Sequence, residues 1–204
     1  MTQAAGPLPS DEELMRAFRA GERWALGELI ARHKTAAYNF ALRQVRQPDL
    51  ASDVVQDAFV RVVQGATEFR ESARFSTWLF TIIRNLCIDH ARKQVHRRHP
   101  SLDAQRPGED GEGPTLGDLV PDPNVRIDRE AEGPTLRKRI QTAVDALPDE
   151  QREVFLLREV ANLAFKEIAE VTGVPENTVK SRMRYALERL QEALAEYEEL
   201  ARTL

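Results

Sequence analysis

Apolar residues recur along this chain at steps of three and four, the period of a helix with one buried face. Ser10 followed by Glu13 is a capping-box pattern, and Leu14, Ala17 and Phe18 then share a face. Gly21 breaks that helix. A longer one follows, with Trp24, Leu29, Ile30, Ala37, Phe40 and Ala41 expected inward, and Pro48 and Asp49 expected to mark a turn. In "DVVQDAFVRVVQG", Val54, Ala58 and Val62 repeat at i, i+4 beside Val55 and Phe59. Asp53, Gln56, Asp57 and Arg61 fall on other faces, and Gly65 ends the segment. A polar loop over 66–77 leads to a stripe of Trp78, Leu79, Ile82, Ile83, Leu86 and Cys87. The distal end of that helix, "RKQVHRR", is basic.

The pattern stops at Pro100. Residues 101–134 hold five prolines and nine acidic against three basic side chains, a net of −6. Such a segment buries too little apolar surface to fold and reads as a flexible acidic linker. Periodicity returns with Leu136, Ile140, Ala143 and Val144, a helix closed by Leu147-Pro148. A second helix carries Val154 and Leu157, and a short and a long helix finish the chain. Alternating strand patterns are nearly absent. The expected fold class is all-α: two small helical domains over 11–99 and 135–204, a linker over 100–134, and a disordered leader over 1–10.

Composition narrows the function. The 204 residues include 42% apolar and 30% charged side chains, as in a soluble protein with real cores. No apolar run approaches the ~18 residues of a membrane span, and the leader lacks the features of a signal peptide. The single cysteine, Cys87, forms neither a disulfide nor a zinc site by itself, which suits a reducing cytoplasm. Cys87 and His90 are three apart on a helix, but no Asp/Glu/His set completes a metal site. His33, His96 and His99 join no nucleophile motif, and no Gly-rich phosphate loop is present. Neither catalysis nor a cofactor is expected.

The clearest chemistry lies in "EIAEVTGVPENTVKSRMRYALERL". A helix-turn-helix needs a small residue where its helices touch, a residue with access to positive φ at the turn, and an apolar anchor on the second helix. Ala169, Gly173 and Val179 stand at those positions. Ile168 and Val174 complete the small core, and Pro175 suits a helix start. With Val179 inward, Met183, Ala186, Leu187, Leu190 and Leu194 continue the buried stripe. Lys180, Ser181 and Arg184 face outward near the helix N-terminus, the part that reads base edges in the major groove. Asn177, Thr178 and Arg182 flank them as candidates for phosphate contact. A formal net charge of −4 does not oppose this reading, because the acidity concentrates in the linker and the Glu-rich C-terminus. A charged surface helix in an ordinary bundle is the bland alternative.

Three stretches in this order, "DVVQDAFVRVV", "FSTWLFTIIRNLCIDHARKQVHRR" and "ALPDEQREVFLLREVANLAFKEIAEVTGVPENTVKSRMRYALERL", resemble an extracytoplasmic-function sigma factor of the sigma-70 family. The resemblance spans roughly 11–194. It implies a transcription initiation factor with two domains, sigma2 and sigma4, that binds core RNA polymerase and promoter DNA. It also implies that 53–64 docks on the polymerase through Asp53, Gln56, Asp57, Phe59 and Arg61. The segment 68–77 matches the family's loop that accepts a flipped-out base at the minus-10 element. There Phe69, Phe75 and Trp78 offer apolar surface, and Arg70, Ser76 and Asn85 offer polar groups. Trp78 fits the helix stripe well enough that packing is its first role. Arg84, Arg92, Lys93, Arg97 and Arg98 are placed for phosphate contact. Lys180, Ser181 and Arg184, with Asn177, Thr178 and Arg182, are implied to meet the minus-35 element as duplex.

The resemblance further implies a stress- or signal-responsive regulon under an anti-sigma factor, and a monomer when free. Promoter sequence, inducing signal and linker path are not encoded in any readable motif. From 165–184 alone, a conventional activator or repressor and a protein-binding adaptor also remain open. Neither accounts for the separate basic helix and aromatic loop upstream.

Overall fold

A computed structural model describes residues 8–70, 73–97 and 133–203. Most of the expected leader and nearly all of the expected linker lie outside the described residues, as do the side chains of 94–97, 133–136 and 196–203. Eight helices are described: α1 (Asp11–Arg19), α2 (Arg23–Val45), α3 (Pro48–Gln64), α4 (Phe75–Arg97), α5 (Gly133–Asp145), α6 (Asp149–Glu159), α7 (Phe165–Thr172) and α8 (Glu176–Thr203). The described residues include no strand, and the all-α expectation holds. Helices α1 to α4 pack on one another, α5 to α7 each pack on α8, and the two groups meet where α7 lies on α4 and α6 approaches α2.

The first turn of α1 shows how a short acidic helix is held. Glu13 closes the expected capping box: its carboxylate accepts from the Ser10 N–H at 2.7 Å, and its own N–H donates to Ser10 Oγ at 3.2 Å. Asp11 reaches α2, accepting from Arg32 at 3.0 Å and bonding to His33 Nε2 at 2.6 Å. Glu12 reaches α4, where its carboxylate accepts the Phe75 N–H at 3.1 Å. That N–H is one of the orphan donors at a helix start, so α1 caps a helix 63 residues away. The three carboxylates also sit where the helix dipole favours negative charge.

The turn between α2 and α3 differs from expectation. Arg46 takes the left-handed conformation at φ 56° and reverses the chain. Pro48 and Asp49 then open α3 rather than mark a turn. Proline suits the first helical position because its missing N–H has no partner there anyway. Val54, Ala58 and Val62 are fully buried, as their spacing predicts. Phe40 and Phe80 meet edge to face, with centroids 5.5 Å apart, where α2 and α4 cross.

Three apolar positions leave their expected places. Trp24 is 58% exposed; it sits in the first turn of α2, where its indole N–H donates to Glu22 at 3.1 Å. Ile140 and Leu187 are 42% and 49% exposed, on helices whose other faces carry the burial. Gly65, by contrast, has a packing role beyond ending α3. A Cβ there would lie 3.2 Å from the Arg61 carbonyl oxygen and 3.3 Å from the Trp78 ring.

In the second group, Arg152 is almost fully buried. Its guanidinium donates to the Leu147 carbonyl at 3.0 Å and to Asp149 at 2.6 Å, pinning the corner between α5 and α6. Gly173, at φ 73°, ends α7 and donates its N–H to the Ala169 carbonyl at 2.9 Å. Few residues other than glycine adopt that φ. Val179 and Ile168 are fully buried across this turn. Cys87 is buried too; burial first, and the Glu153 charge second, push its thiol up to about 12. A thiol so protonated is a poor nucleophile.

The contacts of α1 make a pH prediction. The His33 hydrogen bond holds the Asp11 carboxyl below its ordinary value of 3.8, against the opposing effect of burial. A lowered carboxylate stabilises the fold fully above its unfolded value, and that contribution disappears as pH falls through the folded value. Asp11→Asn is therefore expected to destabilise the protein by about 1 kcal/mol near pH 5. Thermal melts should show the gap to wild type closing as pH drops below 3.8; a gap of unchanged size in strong acid would contradict the assignment. Gly65→Ala is expected to cost about 1 kcal/mol by overpacking. In a Trp24→Phe background it should also shift the Trp78 fluorescence, and an unchanged spectrum and midpoint would show that the indole yields freely.

Candidate nucleic-acid interface

The N-terminal half of α8 builds the clearest candidate surface. The Pro175 carbonyl accepts from the Thr178 and Val179 N–H groups at 2.8 and 3.1 Å, which sets the direction of the first turn. Val179, Met183 and Ala186 are buried. Asn177, Lys180, Ser181 and Arg184 are exposed on the other side, with Thr178 half-buried beside them. Ser181 donates its hydroxyl to the Asn177 carbonyl at 2.9 Å. Lys180 pairs with Glu176 at 2.7 Å, Arg184 approaches Glu188 at 3.7 Å, and the Arg184 guanidinium stacks over Tyr185 at 4.9 Å. Exposed i, i+4 pairs such as these are worth only about 0.3–0.5 kcal/mol, so both cations exchange partners readily.

Arg182 departs from the reading that grouped it with phosphate contacts. It turns back to α6, where it donates to Glu150 at 2.6 Å, and its side chain is only 20% exposed. Here it braces α8 against α6.

On α3, Asp53, Gln56, Asp57 and Arg61 are exposed, and Val60 and Val63 stand among them at 46% and 45% exposure. These two half-exposed valines make the face partly apolar. The spacing missed both valines, because Val60 and Val63 lie off the 54, 58, 62 stripe. Phe59, expected among the contacts, is buried; it anchors α3 inward instead.

The loop before α4 holds the largest departure. Phe75 is fully buried and Phe69 nearly so, while Trp78 is half-buried. The three rings form one cluster: Phe69 to Trp78 at 5.2 Å, Phe69 to Phe75 at 6.2 Å and Phe75 to Trp78 at 6.3 Å. Phe75 meets both other rings edge-on and Phe69 meets Trp78 at a tilt, so Phe69 and Phe75 seat the loop and offer no ring to a base in this conformation. The exposed polar groups are Arg70 and Asn85, with Ser76 half-buried. Further along α4, Arg92 and Lys93 are exposed. The Arg97 side chain and all of Arg98 lie outside the described residues. Arg84 is not free for phosphate here, since it is bound to Glu153 of α6 at 2.8 Å.

Among the described residues, no group of three or more His, Cys, Asp or Glu side chains is placed to hold a metal ion, and no helix is long and apolar enough to cross a membrane.

Comparison with known proteins finds two matched regions. Residues 29–97 match Sigma-70 region 2, and residues 137–190 match Sigma-70, region 4. The chain is 32% identical over 189 residues to the RNA polymerase sigma factor CarQ of Myxococcus xanthus, covering 92% of this chain and 100% of that one. It is 33% identical over 185 residues to the ECF RNA polymerase sigma factor SigM of Mycobacterium tuberculosis, covering 91% and 85%. In fold it is similar to CnrH, solved with the cytosolic domain of CnrY: TM-score 0.61, 22% identity, 92% and 98% coverage. It is also similar to RpoE of Bartonella quintana, solved with the anti-sigma factor NepR: TM-score 0.60, 23% identity, 83% and 96% coverage. The helix-turn-helix surface, the separate basic helix and these two matched regions place the chain in the extracytoplasmic-function branch of the sigma-70 family, as a sigma factor that binds core RNA polymerase and directs transcription initiation at promoters.

Proposed function

We propose that this sigma factor divides its work among three surfaces. Helices α1 to α4 form the sigma2-like unit and α5 to α8 the sigma4-like unit, joined through the acidic linker. The N-terminal face of α8 reads the minus-35 duplex through Lys180, Ser181 and Arg184, with Asn177 and Thr178 on the adjacent phosphates. The observation that carries this is the exposure of Lys180, Ser181 and Arg184 together on a face turned away from the buried Val179 and Met183. A Lys or Arg donor suits guanine O6 and N7, and a good bidentate pair discriminates by roughly 1–3 kcal/mol.

Minus-10 recognition falls to the loop and the outer face of α4: Arg70, Ser76 and Asn85 as polar contacts, Trp78 as the remaining apolar edge, and Arg92, Lys93 and Arg97 on the backbone. Phe69 and Phe75 support that loop from below. Polymerase docking uses the exposed face of α3, where Asp53, Gln56, Asp57 and Arg61 surround Val60 and Val63. Only the polymerase carries out the chemistry in this scheme; the sigma factor needs no catalytic group or cofactor. It works in the cytoplasm as a monomer until it meets core enzyme. An anti-sigma partner that covers the same surfaces would fit a signal-responsive regulon; the two structural neighbours named above were each solved with such a companion or with a partner's cytosolic domain.

Transcription in vitro with bacterial core polymerase, followed by mapping of RNA start sites, tests the scheme. Starts at a common distance from a shared two-part sequence are expected. Lys180→Ala with Arg184→Ala should lower use of promoters with an intact minus-35 element by about 10- to 100-fold, the size of one or two lost base contacts. It should leave polymerase pull-down unchanged, and a parallel loss of polymerase binding would refute the assignment of α8. Asp53→Ala with Asp57→Ala should do the reverse. If that variant still competes normally for core enzyme, α3 is not the docking helix. Neither pair should move the melting midpoint much, because all four side chains are exposed.

A further inference from the structure

Helix α4 starts without an acceptor of its own. The Trp78 N–H donates to the Arg74 carbonyl at 3.2 Å, so Arg74 holds the cap position. A guanidinium carries only donors and cannot receive the free N–H groups of a first turn. The acceptor comes from α1, where the Glu12 carboxylate takes the Phe75 N–H at 3.1 Å. The neighbouring carboxylate reaches the same residue by another path. Asp11 bonds to His33 Nε2 at 2.6 Å, and the His33 ring lies against the Phe75 ring with centroids 5.2 Å apart. Phe75 is thus held at its backbone by Glu12 and at its ring by His33, Phe69 and Trp78.

The clamp has a fixed base. Arg32 of α2 donates from Nη1 to the Pro9 carbonyl at 2.7 Å and to Asp11 at 3.0 Å, which sets the start of α1 along α2. The His33 side chain is 15% exposed and Glu12 is half-buried, so water competes little for either contact. Phe75 also closes the loop proposed to meet the opened strand. Within that loop the Glu68 N–H donates to the Gly65 carbonyl and the Ala73 N–H to the Arg70 carbonyl, both at 2.9 Å. These are local turns; the seat of the loop on the helices is the ring cluster around Phe75. Ser76 follows Phe75 directly. A contact that must meet a flipped base tolerates roughly 0.5 Å of misplacement, and a loop ordered in advance spares the bound strand the cost of ordering it.

We propose that α1 is a positioning element for minus-10 recognition, with Glu12 as its positioning residue. By capping α4 from outside, Glu12 sets where Phe75 stands and so aims Ser76 and Arg70 at the opened strand. The recognition role rests on the proposed minus-10 function of the loop; the clamp on Phe75 does not. Glu12 touches no nucleic acid in this scheme. Its charge alone would repel phosphate and weaken binding, so any selectivity that depends on Glu12 has to come from geometry.

Four full-length proteins test this, each in a Trp24→Phe background that leaves Trp78 as the sole tryptophan: the parent, Glu12→Ala, Glu12→Gln and Glu13→Ala. Glu13→Ala breaks the Ser10 capping box of the same helix and leaves the Glu12 bond in place. Three quantities are read below every melting midpoint: Trp78 emission, affinity for core polymerase, and holoenzyme selectivity for a labelled single strand. Selectivity is the affinity for the minus-10 sequence found by start-site mapping, divided by that for a scrambled strand, so uniform charge effects cancel. Glu12→Ala should shift Trp78 emission and lower selectivity by about five-fold, the scale of one charge-assisted hydrogen bond, with polymerase affinity unchanged. Glu12→Gln should stay within about two-fold of the parent, because its amide oxygen accepts the same N–H. Glu13→Ala should melt earlier and keep both parent emission and selectivity. Unchanged emission and selectivity in Glu12→Ala would overturn the proposal. So would an equal loss in Glu13→Ala, which would reduce α1 to a stabilising helix, or an equal loss in Glu12→Gln, which would reduce the effect to charge. A parallel fall in polymerase affinity would trace the loss to a general disturbance of the first unit and overturn it too. If the parent prefers neither strand, the minus-10 reading of the loop fails and takes the recognition role of Glu12 with it, while Trp78 emission still decides the clamp.

Discussion

Helix α4 needs cover on more than one side, and the rest of the molecule is arranged to supply it. An ordinary surface helix buries a stripe of roughly 100°. In α4, Phe75, Leu79, Phe80, Ile83, Leu86 and Cys87 are all buried, with Trp78 and Ile82 partly so, and these positions spread well beyond such a stripe. Helices α1, α2 and α3 pack on α4 within the first unit, and α7 packs on it from the second. The same helix ends in basic residues and begins at the loop proposed to meet the opened strand. Its packing therefore ties the position of that loop to the core of both units. A shift in α4 would be felt at Phe75, whose N–H is held by Glu12 and whose ring touches Phe69, Trp78 and His33.

The aromatic cluster shows why composition is a poor guide to a base pocket. Three aromatic rings within ten residues of a polar loop suggest stacking surface. Yet a loop that must hold a shape needs its own small core, and rings are the cheapest way for a short segment to make one. Phe69 and Phe75 meet that need in this structure, and Gly65 leaves room for Trp78 to join them. What remains outward is polar: Arg70, Asn85 and the half-buried Ser76.

Much of the fold could be read from periodicity, because periodicity follows from local geometry. The 54, 58, 62 repeat of α3, the capping box of α1 and the Ala169, Gly173, Val179 set of the helix-turn-helix all appear as expected. The misplaced apolar positions have one cause: a stripe says which face is apolar, not how much of it a neighbour covers. Helix α8 has 28 residues, about 42 Å of rise, whereas α6 and α7 have 11 and 8. Leu187 nonetheless lies between the buried Ala186 and Leu190, so its exposure reflects the width of the covered face and not the end of a neighbour. The ion pairs between the units were illegible for another reason. Arg84 and Glu153 are 69 residues apart, and Arg43 and Asp145 are 102 apart. No local pattern links such positions, and the acidic segment between them hides their proximity. Arg182 and Arg84 read as free cations for the same reason.

The net charge of −4 ceases to be a puzzle once the carboxylates are sorted by exposure. Glu176 and Glu188 accompany Lys180 and Arg184 on a solvent-exposed face. Such pairs contribute a few tenths of a kcal/mol and weaken further in salt, so they lower the background attraction for any phosphate backbone while yielding to a guanine edge. Counterion release makes non-specific binding rise with every free cation, and a factor that must ignore most of a chromosome gains selectivity when its cations are lightly occupied. Glu153 is a different case. At 15% exposure it is mostly withdrawn from water, and removing its partner would leave a charge whose desolvation nothing offsets. Two classes of carboxylate thus follow from one physical distinction. Those in solvent would tune how strongly the helix proposed to meet DNA attracts phosphate, and those in the contact between the units help to hold one unit against the other.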